Sequence, residues 1–152
     1  LFHYDPSTGI FMWKIARSGI NVGLHAGCIY SGYREIKIDY KKYRAHRLAW
    51  LYVHGYWPPE QLDHINGIRD DNRIVNLREA TNSQNKMNSG LKATNTSGFK
   101  GVSWAKKLKK WEAQIKTNGK KTHLGYYNTP AEAHAAYCRG VQKYHGKFGR
   151  TS

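Results

Sequence analysis

The densest chemistry in the sequence lies within residues 62–85, where a carboxylate, an imidazole and several carboxamides crowd into a loop-rich stretch. Asp63 and His64 are adjacent, and neighbouring side chains on an extended strand point to opposite faces. The two can serve one centre only if it wraps around a strand end, with a metal on one side and a water on the other. Asn66-Gly67 supplies a turn just after the pair, and Asn76 and Asn85 follow, with eleven and then eight residues intervening. Asn76 reads as a structural residue. Asp70 and Asp71 read as a polar turn before Asn72 rather than as further ligands. His46 reads as a buried hydrogen-bonding residue near a helix start and stays outside the catalytic set.

Several elements must position these groups. Residues 61–64 read as extended, and Thr81-x-x-Gln84 is a capping-box pattern that starts a short helix near Asn82 and puts Asn85 about one turn inside it. A strand, loop, strand and helix result. Upstream, Leu48, Leu51 and Tyr52 recur at helical spacing, Gly55 offers a C-terminal stop and Pro58-Pro59 prevents continuation, which predicts a helix over 45–54. Tyr4-Asp5-Pro6-Ser7-Thr8-Gly9 is turn chemistry, and residues 10–15 and 33–38 are rich in β-branched and aromatic types, so this end reads as small β-hairpins.

Composition narrows the partners. The chain has 152 residues, of which 39% are apolar, favouring one medium domain or a few small ones over a single large core. Lys and Arg number 25 against 10 Asp and Glu, giving a formal charge of +15 and a pI near 9.9. That balance favours a polyanionic partner, nucleic acid first. Residues 1–90 carry 12 basic and 8 acidic side chains, whereas residues 91–152 carry 13 and 2. Between the halves, residues 88–98 are small and polar, with linker chemistry. The expected organisation is a β-rich segment at 1–44, a core at 45–90, a linker at 91–97 and a second domain at 98–152. The longest apolar run, residues 48–53, is far short of a membrane span, and no secretory signal opens the sequence. Leu1 in place of an initiator Met reads as a processed or trimmed start. Cys28 and Cys138 form no CxxC pair, which argues against a disulfide framework and a four-thiolate zinc site and leaves oxygen and nitrogen ligands for any metal.

From Phe99 the pattern becomes three extended runs, at 100–106, 111–117 and 121–127, with the hairpin signal Asn118-Gly119 between the last two. Trp111, Ala113 and Ile115 alternate with Glu112, Gln114 and Lys116. In the third run Thr122, Leu124 and Tyr126 alternate with Lys121, His123 and Gly125, predicting one apolar and one polar face. Thr129-Pro130-Ala131-Glu132 combines an N-cap, a first-turn Pro and a capping-box Glu, so a helix runs to about His145 before Gly146. Ala133, Ala136, Tyr137, Val141 and Tyr144 share its apolar stripe. The sheet's basic face is then free to enter a DNA major groove.

Residues 62–85, with the flanks Tyr4-Asp5, Thr8-Gly9, His46-Arg47 and Gly55-Tyr56-Trp57-Pro58, resemble the HNH homing endonucleases of phages, whose core is the ββα-metal fold. The resemblance covers roughly residues 1–90. It implies that Asp63 and Asn85 bind one divalent cation, that His64 is the general base and that Asn76 braces the loop. Asn85 stands where the motif's third letter is His, leaving an oxygen-rich site suited to Mg²⁺ or Mn²⁺ rather than Zn²⁺. The chemistry implied is phosphodiester hydrolysis, with a neutral imidazole taking a proton from water while a hard cation neutralises charge on the phosphate. One His and one metal cut one strand, leaving 5′-phosphate and 3′-hydroxyl ends.

Gly101-Val102, Trp111-Glu112-Ala113-Gln114-Ile115, Leu124-Gly125-Tyr126-Tyr127-Asn128-Thr129 and Ala133-His134-Ala135-Ala136-Tyr137 resemble the plant ethylene-response-factor, or APETALA-type, DNA-binding domain over residues 97–150. That resemblance implies DNA-facing positions at Lys100, Ser103, Ala105, Gln114, Lys116, Lys121 and His123. Ser103 and Ala105 stand where the plant proteins use arginine, so the plant target sequence does not transfer.

The resulting reading is an α+β chain, a small ββα-metal nuclease core with N-terminal β-hairpins plus a three-stranded antiparallel sheet packed on one helix. It acts as a site-specific DNA endonuclease on double-stranded DNA, with no membrane and no small-molecule cofactor, in the cytoplasm of a phage's bacterial host by resemblance. The oligomeric state stays open. The alternative is a sequence-specific DNA-binding regulator with an inactive nuclease centre, against which the intact Asp63, His64 and Asn85 set argues. An RNA-binding protein would expose aromatics on the sheet, for which Trp104 is the candidate.

Overall fold

A computed structural model of the chain describes residues 1–16, 19 and 21–151. Arg17, Ser18, Ile20 and Ser152, which fall in the segments expected at 1–44 and 98–152, lie outside them. The chain divides into two compact units, Leu1–Ala80 and Thr81–Ser152. Both mix short helices with small antiparallel sheets, an α+β architecture.

In the first unit, β1 (Phe2–Asp5) and β2 (Ile10–Trp13) form a hairpin. Asp5 sets its turn by accepting hydrogen bonds from the Ser7 amide and hydroxyl. Gly9 closes the turn at φ +75, and a Cβ there would lie 2.4 Å from the Arg73 nitrogen. Only glycine lets this turn rest on the loop that carries Asn72 and Arg73. A three-stranded sheet follows in the order β3 (Cys28–Tyr30), β4 (Tyr33–Ile38), β5 (Lys41–Arg44). Helix α1 (Ala45–His54) starts directly after it, buries Ala45, His46, Leu48, Ala49 and Trp50, and stops at Gly55, whose left-handed backbone donates its N–H to Leu51 O. Arg47 then steers the chain, donating to the Pro58 and Glu60 carbonyls. That leads into β6 (Gln61–His64), which pairs antiparallel with β7 (Leu77–Ala80). Tyr4, Phe11, Ile36, Trp50, Leu62 and Leu77 belong to one core that ties these pieces together, each such burial contributing about 1.5–3 kcal/mol. The hairpins, the helix and the extended segment stand where the sequence puts them.

In the second unit the capping box of Thr81 and Gln84 opens α2 (Asn82–Met87). The sheet runs β10-β9-β8, with β8 (Val102–Ala105), β9 (Lys110–Thr117) and β10 (Lys120–Tyr127). Asn118 and Gly119 take φ 48 and 83, as a two-residue primed turn requires. Helix α3 (Pro130–Tyr144) opens on Thr129 and Glu132, again a full capping box, and Ala133 and Ala136 pack with Val102 and Ala113. The residues expected as a linker carry local structure: Asn95 donates to Phe99 O, and Ser97 Oγ to Val102 O.

Three face assignments change, at Gly125, Tyr126 and Tyr144. The β9–β10 register passes from His123 opposite Gln114 to Gly125 opposite Ala113, so Leu124 is a bulge. One extra residue reverses the alternation beyond it. Tyr126 therefore joins the polar face, 43% exposed with its ring 4.4 Å from that of His123, instead of the apolar face that strict alternation predicts. Tyr144, expected on the apolar stripe of α3, is exposed. The chain after α3 turns back so that Gly149 lies against Val141 and Phe148 is buried in its stead.

Candidate active site and nucleic-acid interface

Strand β6 ends in the Asp63-His64 pair and β7 begins at Leu77, so the loop at 65–76 closes over the strand ends. Asp63 and His64 are 3% and 5% exposed. Register places Asp63 and Arg78 on one face, and His64 with Leu77 on the other. Arg78 donates Nε and Nη2 to Asp63 Oδ2 at 2.8 and 2.6 Å, charge-assisted contacts that offset the cost of burying the carboxylate.

The loop is held from within. Asn76 accepts the Asn66 amide at Oδ1 and donates Nδ2 to Asn66 Oδ1 and to the Asp71 carbonyl. Asn66 donates in turn to Asp71 Oδ2. Arg73, and after it Asn66, hold the Asp71 carboxyl down to about 2 against the effect of burial. Asn72 is fully buried, and its carbonyl accepts the Tyr4 hydroxyl at 2.7 Å. These bonds fix where the backbone leaves and re-enters the strand pair.

His64 Nε2 lies 3.4 Å from Asn72 Oδ1. That oxygen can only accept, so the contact puts the proton on Nε2 and the lone pair on Nδ1. Burial pushes the imidazole below its ordinary value, opposed first by Asn72 and then by Asp63. The ring is therefore neutral at physiological pH, the form that accepts a proton. His46 meets it edge to face at 4.9 Å and is itself pushed down to about 3 by burial, then by His64, Arg44 and Arg47. Tyr33 completes the group, its ring centre 6.0 Å from that of His64.

Among the described residues no three His, Cys, Asp or Glu side chains cluster as a metal cage. A cation beside Asp63 would take one carboxylate and otherwise neutral oxygens from water and phosphate. Such a donor set fits Mg²⁺ or Mn²⁺, which keep several waters and take few carboxylates, and does not fit a closed zinc site.

Asn85 belongs to the second unit, half-buried one turn inside α2, where its amide bonds to Thr81 O. On the exposed face of that unit's sheet, Ser103 stands opposite Glu112, Gln114 opposite His123, and Lys116 opposite Lys121. Ala105 faces the same way, opposite Lys110. His123 Nδ1 lies 3.0 Å from Glu112. Lys100 is different: its ammonium donates to the Met87, Ser89 and Arg150 carbonyls, and burial pushes it down to about 8. It ties the end of α2 to the C-terminal segment.

Residues 43–87 match the family model described as HNH endonuclease. Protein 3.8 of Escherichia phage T7 is 33% identical over 118 residues, which span 77% of this chain and 97% of that protein. The chain belongs to the HNH endonuclease family. Behind the HNH segment, residues 97–147 match the AP2 domain, so this member of the family carries an AP2-type DNA-binding domain on its C-terminal side. No solved structure matches it. No helix among the described residues is long and apolar enough to cross a membrane. Sequence reasoning passed over three residues at the HNH centre: Arg78, Asn72, and His46 as a neighbour of His64. Arg78 was within reach, since pairing two strands that flank the loop at 65–76 puts it opposite Asp63. The other two arise from tertiary packing.

Proposed function

We propose that this HNH endonuclease is a site-specific, strand-nicking DNA endonuclease of the homing type, hydrolysing a phosphodiester bond with His64 as general base and one Mg²⁺ or Mn²⁺. The observation that carries the reading is a buried, neutral His64 at a strand end, next to the carboxylate of Asp63 and under a loop braced by Asn76. In this reading His64 takes the proton of the attacking water, Asn76 keeps the loop in place, and Asp63 and Asn85 are the protein's ligands to the cation. The bound cation supplies neutralisation of the charge growing on the phosphate and its leaving oxygen. Arg78 is a positioning residue that orients the Asp63 carboxylate.

Residues 45–90 then form the nuclease core and residues 98–152 the DNA-binding domain, with Ser103, Gln114, Lys116, Lys121 and His123 facing duplex DNA. Lys100 supports that domain from within, through its three carbonyl partners. The expected place of action is the host cytoplasm.

One observation favours the second reading, a DNA-binding regulator with an inactive nuclease centre: Arg78 sits on the carboxylate proposed as ligand. Supercoiled plasmid separates the two. Relaxation by the wild-type chain with Mg²⁺ or Mn²⁺, lost in EDTA and in His64→Ala, is the expected result; binding without relaxation supports the regulator.

A further inference from the structure

Four described arginines of the first unit are engaged by its own fold. Arg34 pairs with Asp70, Arg73 with Asp71 and Arg78 with Asp63, while Arg47 serves the Pro58 and Glu60 carbonyls. Arg44 and Arg69 have no carboxylate partner among the described residues, both are exposed, and both lie over one ring. The Arg44 guanidinium is 4.2 Å from the centre of Tyr33 and that of Arg69 is 5.0 Å from it. Tyr33 in turn adjoins His64.

Helix capping and ion pairing explain neither cation. Arg44 is the N-cap of α1, where its side chain caps nothing and no acidic residue stands in the first turn; a positive charge there opposes the helix dipole. Arg69 comes from the loop at 65–76 and crosses the β3–β4 turn. Its stem lies against Gly32, where a Cβ would stand 3.4 Å from its Cδ, and Nη1 donates to Ser31 O at 3.2 Å. That uses one of its five N–H donors and leaves the planar group oriented. Two like charges brought to one ring repel unless an anion lies between them. A guanidinium fork matches phosphate geometry, and stacking on an aromatic ring sets its plane in advance.

We propose that Arg44 and Arg69, with Tyr33 as their platform, clamp a single backbone phosphate of the DNA strand beside the one that is cut, setting the strand's register over His64. The placement beside the cut rests on the nuclease reading; the clamp itself is read by binding.

The test uses the full chain, with a mixed-sequence DNA duplex in EDTA for binding and supercoiled plasmid with Mg²⁺ for nicking. Arg44→Gln and Arg69→Gln should each weaken duplex binding about tenfold. Because both hold one phosphate, the double variant should lose little more, and its salt slope should fall by about 0.9 in all. Lys41→Gln, at the far end of the β4–β5 pairing from Tyr33, should change affinity less than about twofold. Wild-type affinity in both single variants overturns the clamp, as does an equal loss in Lys41→Gln, which would mean diffuse attraction. A slope loss near two in the double variant overturns the shared phosphate. If the glutamine variants melt early, Arg44→Lys and Arg69→Lys decide, since they keep charge but not the fork: weakened binding with wild-type circular dichroism supports the clamp, and wild-type binding overturns it. Duplex binding without nicking by the wild-type chain would sink the nuclease reading, while the salt slopes would still decide the clamp.

Discussion

At the scale of single residues, His64 and its neighbour His46 divide the pH behaviour between them. His64 is held below its ordinary value chiefly by burial, so the acid limb of the single-turnover nicking rate should have its midpoint below about pH 6.5. A midpoint above that value would contradict the assignment. His64→Ala should cost about 10² to 10⁴ in rate with duplex affinity unchanged, measured at saturating DNA. His46 binds its proton far more readily unfolded than folded, where it sits at about 3. Its contribution to stability is complete above about pH 6.5 and is lost as pH falls towards 3, at up to about 1.4 kcal/mol per pH unit. His46→Phe should flatten that part of the curve of melting temperature against pH; the slopes from His64 and His145, both also held low by burial, should remain. For the carboxylate, Asp63→Ala would remove the ion-pair partner of the half-buried Arg78 guanidinium and so destabilise the fold itself. Asp63→Asn is the better variant, and it should move the Mg²⁺ midpoint for nicking upward.

At the scale of elements, the second unit depends on how closely α3 approaches its sheet. Gly101 precedes β8 at φ +75, and a Cβ there would stand 2.0 Å from the Tyr137 ring. Gly101→Ala combines a left-handed backbone penalty of about 1–2 kcal/mol with displacement of a buried aromatic. Its unfolding midpoint in urea should fall by more than that of Thr129→Ala, which loses only the N-cap of α3 at about 1 kcal/mol. Equal shifts would mean that the helix does not rest on Gly101 as the geometry indicates. In the first unit the equivalent close approach is made by Gly9 on Arg73, which seats the N-terminal hairpin on the loop at 65–76.

At the scale of the molecule, the +15 charge is the quantity a DNA partner meets first. Excess positive charge attracts duplex DNA whatever its sequence, whereas a sheet seated in a groove uses particular side chains. Lys116 and Lys121 face each other on the exposed sheet face, and Lys143 lies in the last turn of α3 with its ammonium over Tyr144. Lys116→Ala and Lys121→Ala should each lower the slope of log affinity against log salt by about one if they touch phosphate, or relax sequence preference if they read bases. Lys143→Ala should do neither. Equal losses from all three would leave only diffuse attraction.

The sequence by itself determined what is local. Capping boxes at Thr81 and Thr129, the Asn118-Gly119 turn and the Gly55 stop are each written within a few residues, because caps and turns are satisfied by nearest neighbours along the chain. The family was legible as well, since its motif is a spacing. Tertiary structure decided whatever needs two distant segments to meet. The bulge at Leu124 reversed the face of Tyr126 because register belongs to a pair of strands and not to one. Lys100 was drawn inward by carbonyls that lie as far along the chain as Arg150. His46 came to face His64, and Tyr33 came to carry Arg44 and Arg69, only because α1, the β3–β4 turn and the loop at 65–76 converge on one core whose packing no periodicity records.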